Sequence, residues 1–433
     1  MTRSTVGRAM GMRKGIVMGE TASLRDVFAT FGRIGVLSFG GPAAQISLMH
    51  SELVDRHKWL SEDQFLKALS FCMLLPGPEA MQLATYAGWR LHGVLGGLIA
   101  GLLFVLPGAA VIFALAFGYA LYGDLPLVHA VFAGIQATVV VIVLQALWKL
   151  AKKALKTRAS WVLAALAFVA LFFLSVPFPL IILAAGLYGF LTQSGTATTA
   201  PVQGRPRTLR TVAIWGALWA APVVLVWAMD HTFLTQIALF FSQLAVVTFG
   251  GAYAVLAYMT QAVVDTHGWL TTPQMIDALG LAETPPGPLI LVTQFVAFMA
   301  GFSEGNVGLG LAAACLALWV TFDPCFLWIF AGAPYVETLL SRPRLKGALE
   351  AISASVVGVI LNLSIWFALH VLFASVADGR FGPVVTLESI SLINAGLIAL
   401  AAAFLLGLRW PLIATLAAMG VIGAGLGLAG FFV

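Results

Sequence analysis

Apolar runs of about 20 residues, the length a helix needs to cross a bilayer, alternate with short polar breaks from Val27 to the C-terminus. Their apolar positions show no strand-type alternation, which argues against a β-barrel. Candidate spans start near residues 28, 63, 94, 128, 161 and 177, a seventh covers 211–229, and the rest start near 233, 274, 306, 347, 387 and 410. The pattern therefore predicts an all-α polytopic membrane protein of about thirteen transmembrane helices. The fifth and sixth, Trp161–Leu174 and Pro177–Leu191, are short. With Pro177 and Pro179 making the bend between them, they read as a hairpin that need not cross fully.

Composition removes the soluble alternative. Of 433 residues 61% are hydrophobic and 9% charged, with mean hydropathy +0.99, whereas soluble domains carry about 25% charged residues. The net charge of +5 is a topology signal rather than a nucleic-acid footprint. With the N-terminus inside, 18 of the 23 Lys and Arg fall in cytoplasmic segments, including a basic tail over residues 1–25 that lacks a signal-peptide pattern. The expectation is N-in and C-out. Cys72, Cys315 and Cys325 form no CxxC pair, and the histidines show no ligand spacing, so no metal or cofactor is implied. No HExxH or GxxxxGK[ST] motif is present, which argues against an intramembrane enzyme or an ATP-driven pump.

The chain is duplicated. Residues 31–78 align with 241–288 without a gap, and 18 of 48 positions are identical. Phe39-Gly40-Gly41 matches Phe249-Gly250-Gly251, and Pro76-Gly77-Pro78 matches Pro286-Gly287-Pro288. Asp55, His57 and Trp59 recur as Asp265, His267 and Trp269, reading as a turn with Trp at the membrane interface. IQATVVVIVL at 135–144 resembles ISASVVGVIL at 352–361. The predicted division is a first repeat over 26–192, a linker plus connecting span over 193–232, and a second repeat over 233–433. One span between two units of about six inverts the second relative to the first, the common architecture of secondary transporters.

The FGG and PGP motifs lie inside apolar segments, where they interrupt helices. Irregular backbone at membrane depth persists only where protein or a wet cavity satisfies it. Pro42, Pro78 and Pro288 are placed to open new half-helices, although the second unit has Ala252 opposite Pro42. The free N–H groups and positive dipole ends of such half-helices make anion sites. Two units can bring four of them to one cavity, which suits a compact dianion. The alternative is that the breaks are packing kinks.

With these motifs the chain resembles the chromate ion transporter family in its long, two-domain form. SFGGP (38–42), Trp59-Leu60, PGP (76–78) and Gln82 through Gly88 carry the likeness in the first unit. TFGG (248–251), Trp269-Leu270 and Glu283 before PGP carry it in the second. The resemblance implies export of chromate across the bacterial inner membrane, by exchange or driven by protons or membrane potential, and hence chromate resistance. Sulfate, another tetrahedral dianion, is the alternative substrate; an anion channel is the alternative mechanism, and a homodimer is an open option.

Charges within the spans complete the candidate list. Arg33 is poised to pair with an oxyanion or to reach the interface. Lys67 stands opposite Asp277 in the repeat alignment, which predicts either a cross-unit ion pair or two residues near a membrane face. Gln82 and Thr85 are one turn apart and can line a cavity. Glu79, Glu283 and Asp323 are the coupling candidates, because protonatable groups in spans mark relays; capping of a helix start is the other reading of Glu79.

Overall fold

The computed structural model describes residues 22–194, 207–249, 251–379 and 382–431. The basic tail, most of the linker after Ser194, and Gly250 lie outside the described residues.

Helix α1 (Leu24–Leu37) starts on a reciprocal cap between Ser23 and Asp26 and stops at Ser38. The chain turns through Gly40, in the left-handed region at φ +86°, into α2 (Gly41–His50), which carries on as a π turn over Ser51–Arg56. These two helices run antiparallel: Arg33 reaches Glu52 at 3.7 Å, and the Thr30 hydroxyl lies 3.4 Å from His57 Nε2. They form a helical hairpin with its tip at the FGG motif. A second hairpin follows, from α3 (Glu62–Cys72), capped by Ser61 and Gln64, through the PGP tip into α4 (Glu79–Tyr122). Helix α4 kinks where His92 and Gly93 leave helical angles, and passes through Pro107 without a break. Then come α5 (Pro126–Ala154), α6 (Arg158–Phe172) and α7 (Phe178–Thr192).

Helix α8 (Thr208–Ala228) has no buried residue and separates this set from a second that repeats its order. Helix α9 (Thr232–Val247) leads through FGG to α10 (Ala252–Gln261), again ended by a π turn, over Ala262–Thr266. Helix α11 (Thr272–Ala282) leads through PGP and a 3-10 turn (Leu289–Leu291) to α12 (Val292–Glu304). The remaining elements are α13 (Val307–Gly332), the short α14 (Val336–Leu340), α15 (Pro343–Leu372), a hairpin of β1 (Val376–Gly379) and β2 (Gly382–Val385), α16 (Leu392–Ala402) and α17 (Leu412–Leu428). The Asp-x-His-x-Trp segments are turns in both halves. Lys58 and Gly268 hold positive φ, and each histidine stacks on its tryptophan.

Five helical stretches among the described residues are long and apolar enough to cross a membrane: α4, α5, α8, Val307–Leu340 and α15. Several others are shorter apolar helices. The protein is thus an all-α polytopic membrane protein in broad class, with short half-helices where the sequence pattern alone reads whole spans.

The two halves interlock. Helices α6 and α7 of the first half pack on α15 of the second, while α16 and α17 of the second pack on α5 of the first. Glycines permit the close approach: a side chain on Gly134 would run into the Met419 carbonyl, one on Gly189 into the Gly347 carbonyl, and one on Gly358 into the Ala164 carbonyl.

Candidate functional site

The four hairpin tips meet, and they meet crosswise. The Gly77 amide donates to the Thr248 carbonyl at 2.8 Å, and the Gly287 amide donates to the Ser38 carbonyl at 2.8 Å. Each PGP tip is thus fastened to the FGG tip of the other half, and exchanging the halves maps one bond onto the other. Glycine is required here. Gly77 (φ +113°) and Gly287 (φ +90°) hold backbone angles that L side chains rarely adopt. A Cβ on Gly77 would also press on Cys325 Sγ at 2.9 Å and Gln82 Nε2 at 3.0 Å.

At the junction lies a small cavity of about 20 Å³, room for about one water molecule. Pro42 and Gln45 on α2, Glu79 and Ala80 on α4, Ala252 on α10, and Leu289 and Ile290 ahead of α12 line it. Gly77, Pro78, Thr248, Gly251 and Pro288 complete the wall. Each of the four chain segments enters its helix at this wall, so four helix N-terminal ends surround one space. Their leading amides lack partners one turn back, and their dipoles present positive ends. Pro78 and Pro288 are caps one residue ahead of the helical turn rather than its first residue, whereas Pro42 sits inside the first turn of α2.

Apart from Thr248, the polar side chains on the cavity wall come from the first half. Gln45, 2% exposed, donates from Nε2 to the Gly287 carbonyl at 2.7 Å and to the Ser38 carbonyl at 3.2 Å. Gln82, fully buried, donates to the Pro76 carbonyl at 2.6 Å, and its Oε1 has no hydrogen-bond partner. Their counterparts at the constant offset of 210 are Val255 and Val292, and the counterpart of Glu79 is Leu289. Gln45 carries no motif and is not among the sequence candidates. Its signal was a lone glutamine in an apolar helix one turn after FGG.

The other candidates separate into those at the tips and those away from them. Phe39, Gly40, Gly41, Pro76, Phe249 and Pro286 belong to the four tips. Thr85 is buried on α4 and donates to the Met81 carbonyl. Arg33 is not at the junction: its side chain is 54% exposed and leans toward Glu52, which also takes Arg56 at 3.0 Å. Lys67 is drawn outward to Asp63 at 2.7 Å, in a groove of about 170 Å³ shared with Tyr86, Arg90 and Glu337. Of the two readings of Lys67 and Asp277, the cross-unit ion pair is not formed. Asp277 is buried and accepts instead from Tyr119 and Gln136, each at 2.6 Å. Aligned positions occupy equivalent places in two different halves, and equivalence does not bring them together.

Among the coupling candidates, Glu79 is on the cavity wall. Glu283, just ahead of the second PGP tip, is buried and accepts from the Tyr253 hydroxyl at 2.8 Å. Asp323 is buried within α13, and its Oδ2 has no hydrogen-bond partner. No group of three or more His, Cys, Asp or Glu side chains is arranged to hold a metal among the described residues.

Comparisons place this architecture among known sequences. A family model described as "Chromate transporter" matches residues 25–190 and again 235–424. The chain is 31% identical to a probable chromate transport protein of Synechococcus elongatus, over 92% of this chain and 95% of that one. It is 34% identical to a chromate transport protein of Pseudomonas aeruginosa, covering 78% and 79%, and 29% identical to one of Cupriavidus metallidurans, covering 80% and 83%. No solved structure matches.

Proposed function

The chain belongs to the chromate transporter family, and on that premise we propose that it exports chromate from the bacterial cytoplasm as a secondary transporter, binding the anion where the four helix tips meet. The observation that carries this reading is the ring of four helix N-termini around one cavity, two from each half. A tetrahedral dianion exposes four oxygens that need donors once water is stripped away. Backbone amides at helix starts supply them without fixed cations. This suits a substrate that must also leave, since an arginine clamp would hold it too well.

The present cavity is smaller than such an anion, so transport requires the tips to part. The crossed bonds at Gly77 and Gly287 are the contacts that this parting breaks. In an inverted arrangement of the halves, parting one FGG–PGP pair opens the cavity to one side and parting the other opens it to the opposite side, which is alternating access. Glu79 lines the cavity, where an ionised carboxylate would repel a dianion, so it serves there in its protonated form and is a coupling candidate. Glu283 and Asp323 stand further off as groups for coupling to protons or membrane potential. Sulfate shares the shape and charge of chromate and is the expected competitor.

The test is uptake of labelled chromate into inside-out membrane vesicles, with and without sulfate. Accumulation above vesicles lacking the protein is expected under an imposed gradient, with sulfate lowering it. No accumulation under any gradient overturns the proposal.

A further inference from the structure

Asp277 is a buried carboxylate with a hydrogen-bond donor on each oxygen, and the anion site does not use it. It is 2% exposed, on α11 of the second half. Its Oδ2 accepts from the Tyr119 hydroxyl on α4 and its Oδ1 from the Gln136 amide on α5, both at 2.6 Å. Both donors belong to the first half, so this one side chain ties the halves together. No Lys or Arg pairs with it among the described residues. Among the described residues, the other titratable groups that act electrostatically on the trio are His129 at the start of α5, on Asp277, and Asp124 in the turn before it, on Tyr119. The 3-10 turn buries Leu289, Ile290 and Leu291, and α12 buries no charged side chain.

Position adds the second argument. Helix α11 runs directly into the Glu283 and PGP segment that forms one wall of the cavity. The Tyr119 ring stands edge-on to Phe295 of α12, the helix leaving that same tip, at 5.5 Å between centroids. Tyr119 therefore touches the entry helix and the exit helix of the second PGP tip at once. Two donors on two carboxylate oxygens describe an ionised acceptor. A proton on either oxygen turns it into a donor facing a donor, and one of the two ties must break or turn around.

We propose that Asp277 is the proton-binding site that couples transport to a proton gradient, with Tyr119 and Gln136 as its latch. Ionised Asp277 holds α11 against α4 and α5 and keeps the second PGP tip in place. A proton arriving from the solvent on one side binds one carboxylate oxygen, cancels its charge and releases α11. The same proton leaves to the other side when the latch closes again. This rests on the reading of the chain as a chromate transporter and adds to it the identity of the coupling group.

The experiment uses purified full-length protein in sealed liposomes and two assays: chromate counterflow without a gradient, and chromate accumulation driven by a pH gradient. Asp277→Asn is expected to keep counterflow within about twofold of the native rate while losing gradient-driven accumulation by more than about tenfold. Tyr119→Phe, which keeps the carboxylate and removes one donor to its ionised form, is expected to move the pH midpoint of driven transport upward by up to about one unit. Driven accumulation that survives Asp277→Asn places the coupling elsewhere, at Glu79 or Glu283, and overturns the inference. If Asp277→Asn loses counterflow as well, the tyrosine variant decides: an unmoved midpoint overturns it, and a shifted one supports it. Native protein that shows counterflow but no response to a pH gradient overturns this inference and leaves the chromate reading standing. Native protein that moves no chromate in either assay fails the chromate reading itself.

Discussion

The two halves share a backbone plan and differ in what they hang on it. At the junction the first half offers Gln45, Glu79 and Gln82, where the second offers Val255, Leu289 and Val292. Away from it the balance reverses. The second half buries Asp277, Glu283 and Asp323, while the first half's counterpart of Asp277, Lys67, is half-exposed and paired to Asp63. A duplicated unit thus keeps its helix breaks symmetrical and lets its side chains differ. The first half supplies Gln45 and Glu79 to the cavity wall, and its one buried carboxylate among the described residues, Glu52, is paired with arginines, whereas the second half buries three carboxylates that no Lys or Arg pairs with among the described residues.

The comparison breaks most severely at the tips, where both halves need the same thing. Gly77→Leu and Gly287→Leu should each reduce vesicle transport by more than about a hundredfold while leaving membrane insertion intact, because each forces a side chain onto a left-handed backbone that costs about 1–3 kcal/mol and displaces a crossed bond. A variant at either tip that transports at the native rate would refute the shared-junction view. A smaller effect sharpens the asymmetry. Gln82→Val makes the first half imitate the second and should lower transport about tenfold, since the freed Pro76 carbonyl loses its donor in a buried place. The reciprocal Val292→Gln should gain nothing. Gln45→Val, which frees the Gly287 and Ser38 carbonyls to face the anion, should mainly raise the half-saturating chromate concentration, by about fivefold on the scale of one buried hydrogen bond. The smallest change expected is at Lys67→Met. Its partner Asp63 is largely exposed, and exposed pairs contribute about 0–1 kcal/mol, so rates should stay within about twofold; a large loss would bring Lys67 back toward the anion path.

Much of this plan is legible in the sequence because it rests on glycine and proline. FGG and PGP at one spacing, twice, announce four helix starts, and the structure puts them around one cavity. What the spacing does not reveal is the crossing: nothing in the offset says that Gly77 reaches Thr248 rather than Ser38. Proline is also an uneven guide. Pro107, Pro222 and Pro324 sit inside continuous helices, whereas the kink in α4 falls at His92-Gly93, where the sequence pattern reads the start of a separate span. Hydropathy cannot tell a short hairpin arm from a full crossing, because both are apolar. The proposed Asp277 latch escapes sequence reading because Asp277 lies 158 residues from Tyr119 and 141 from Gln136, although Tyr119 and Gln136 stand out as polar residues in long apolar helices.

The exchange of terminal helix pairs between the halves also has a consequence in time. Helices α6 and α7 are complete once Thr192 has been made, but α15, on which they pack, begins about 150 residues later. At roughly 5–20 residues per second of synthesis, the first half waits on the order of ten seconds in the membrane with the docking faces of Gly186 and Gly189 turned to lipid. Its final form is thus set only when the second half arrives, which makes the nascent protein a client for whatever shelters half-assembled helices during insertion.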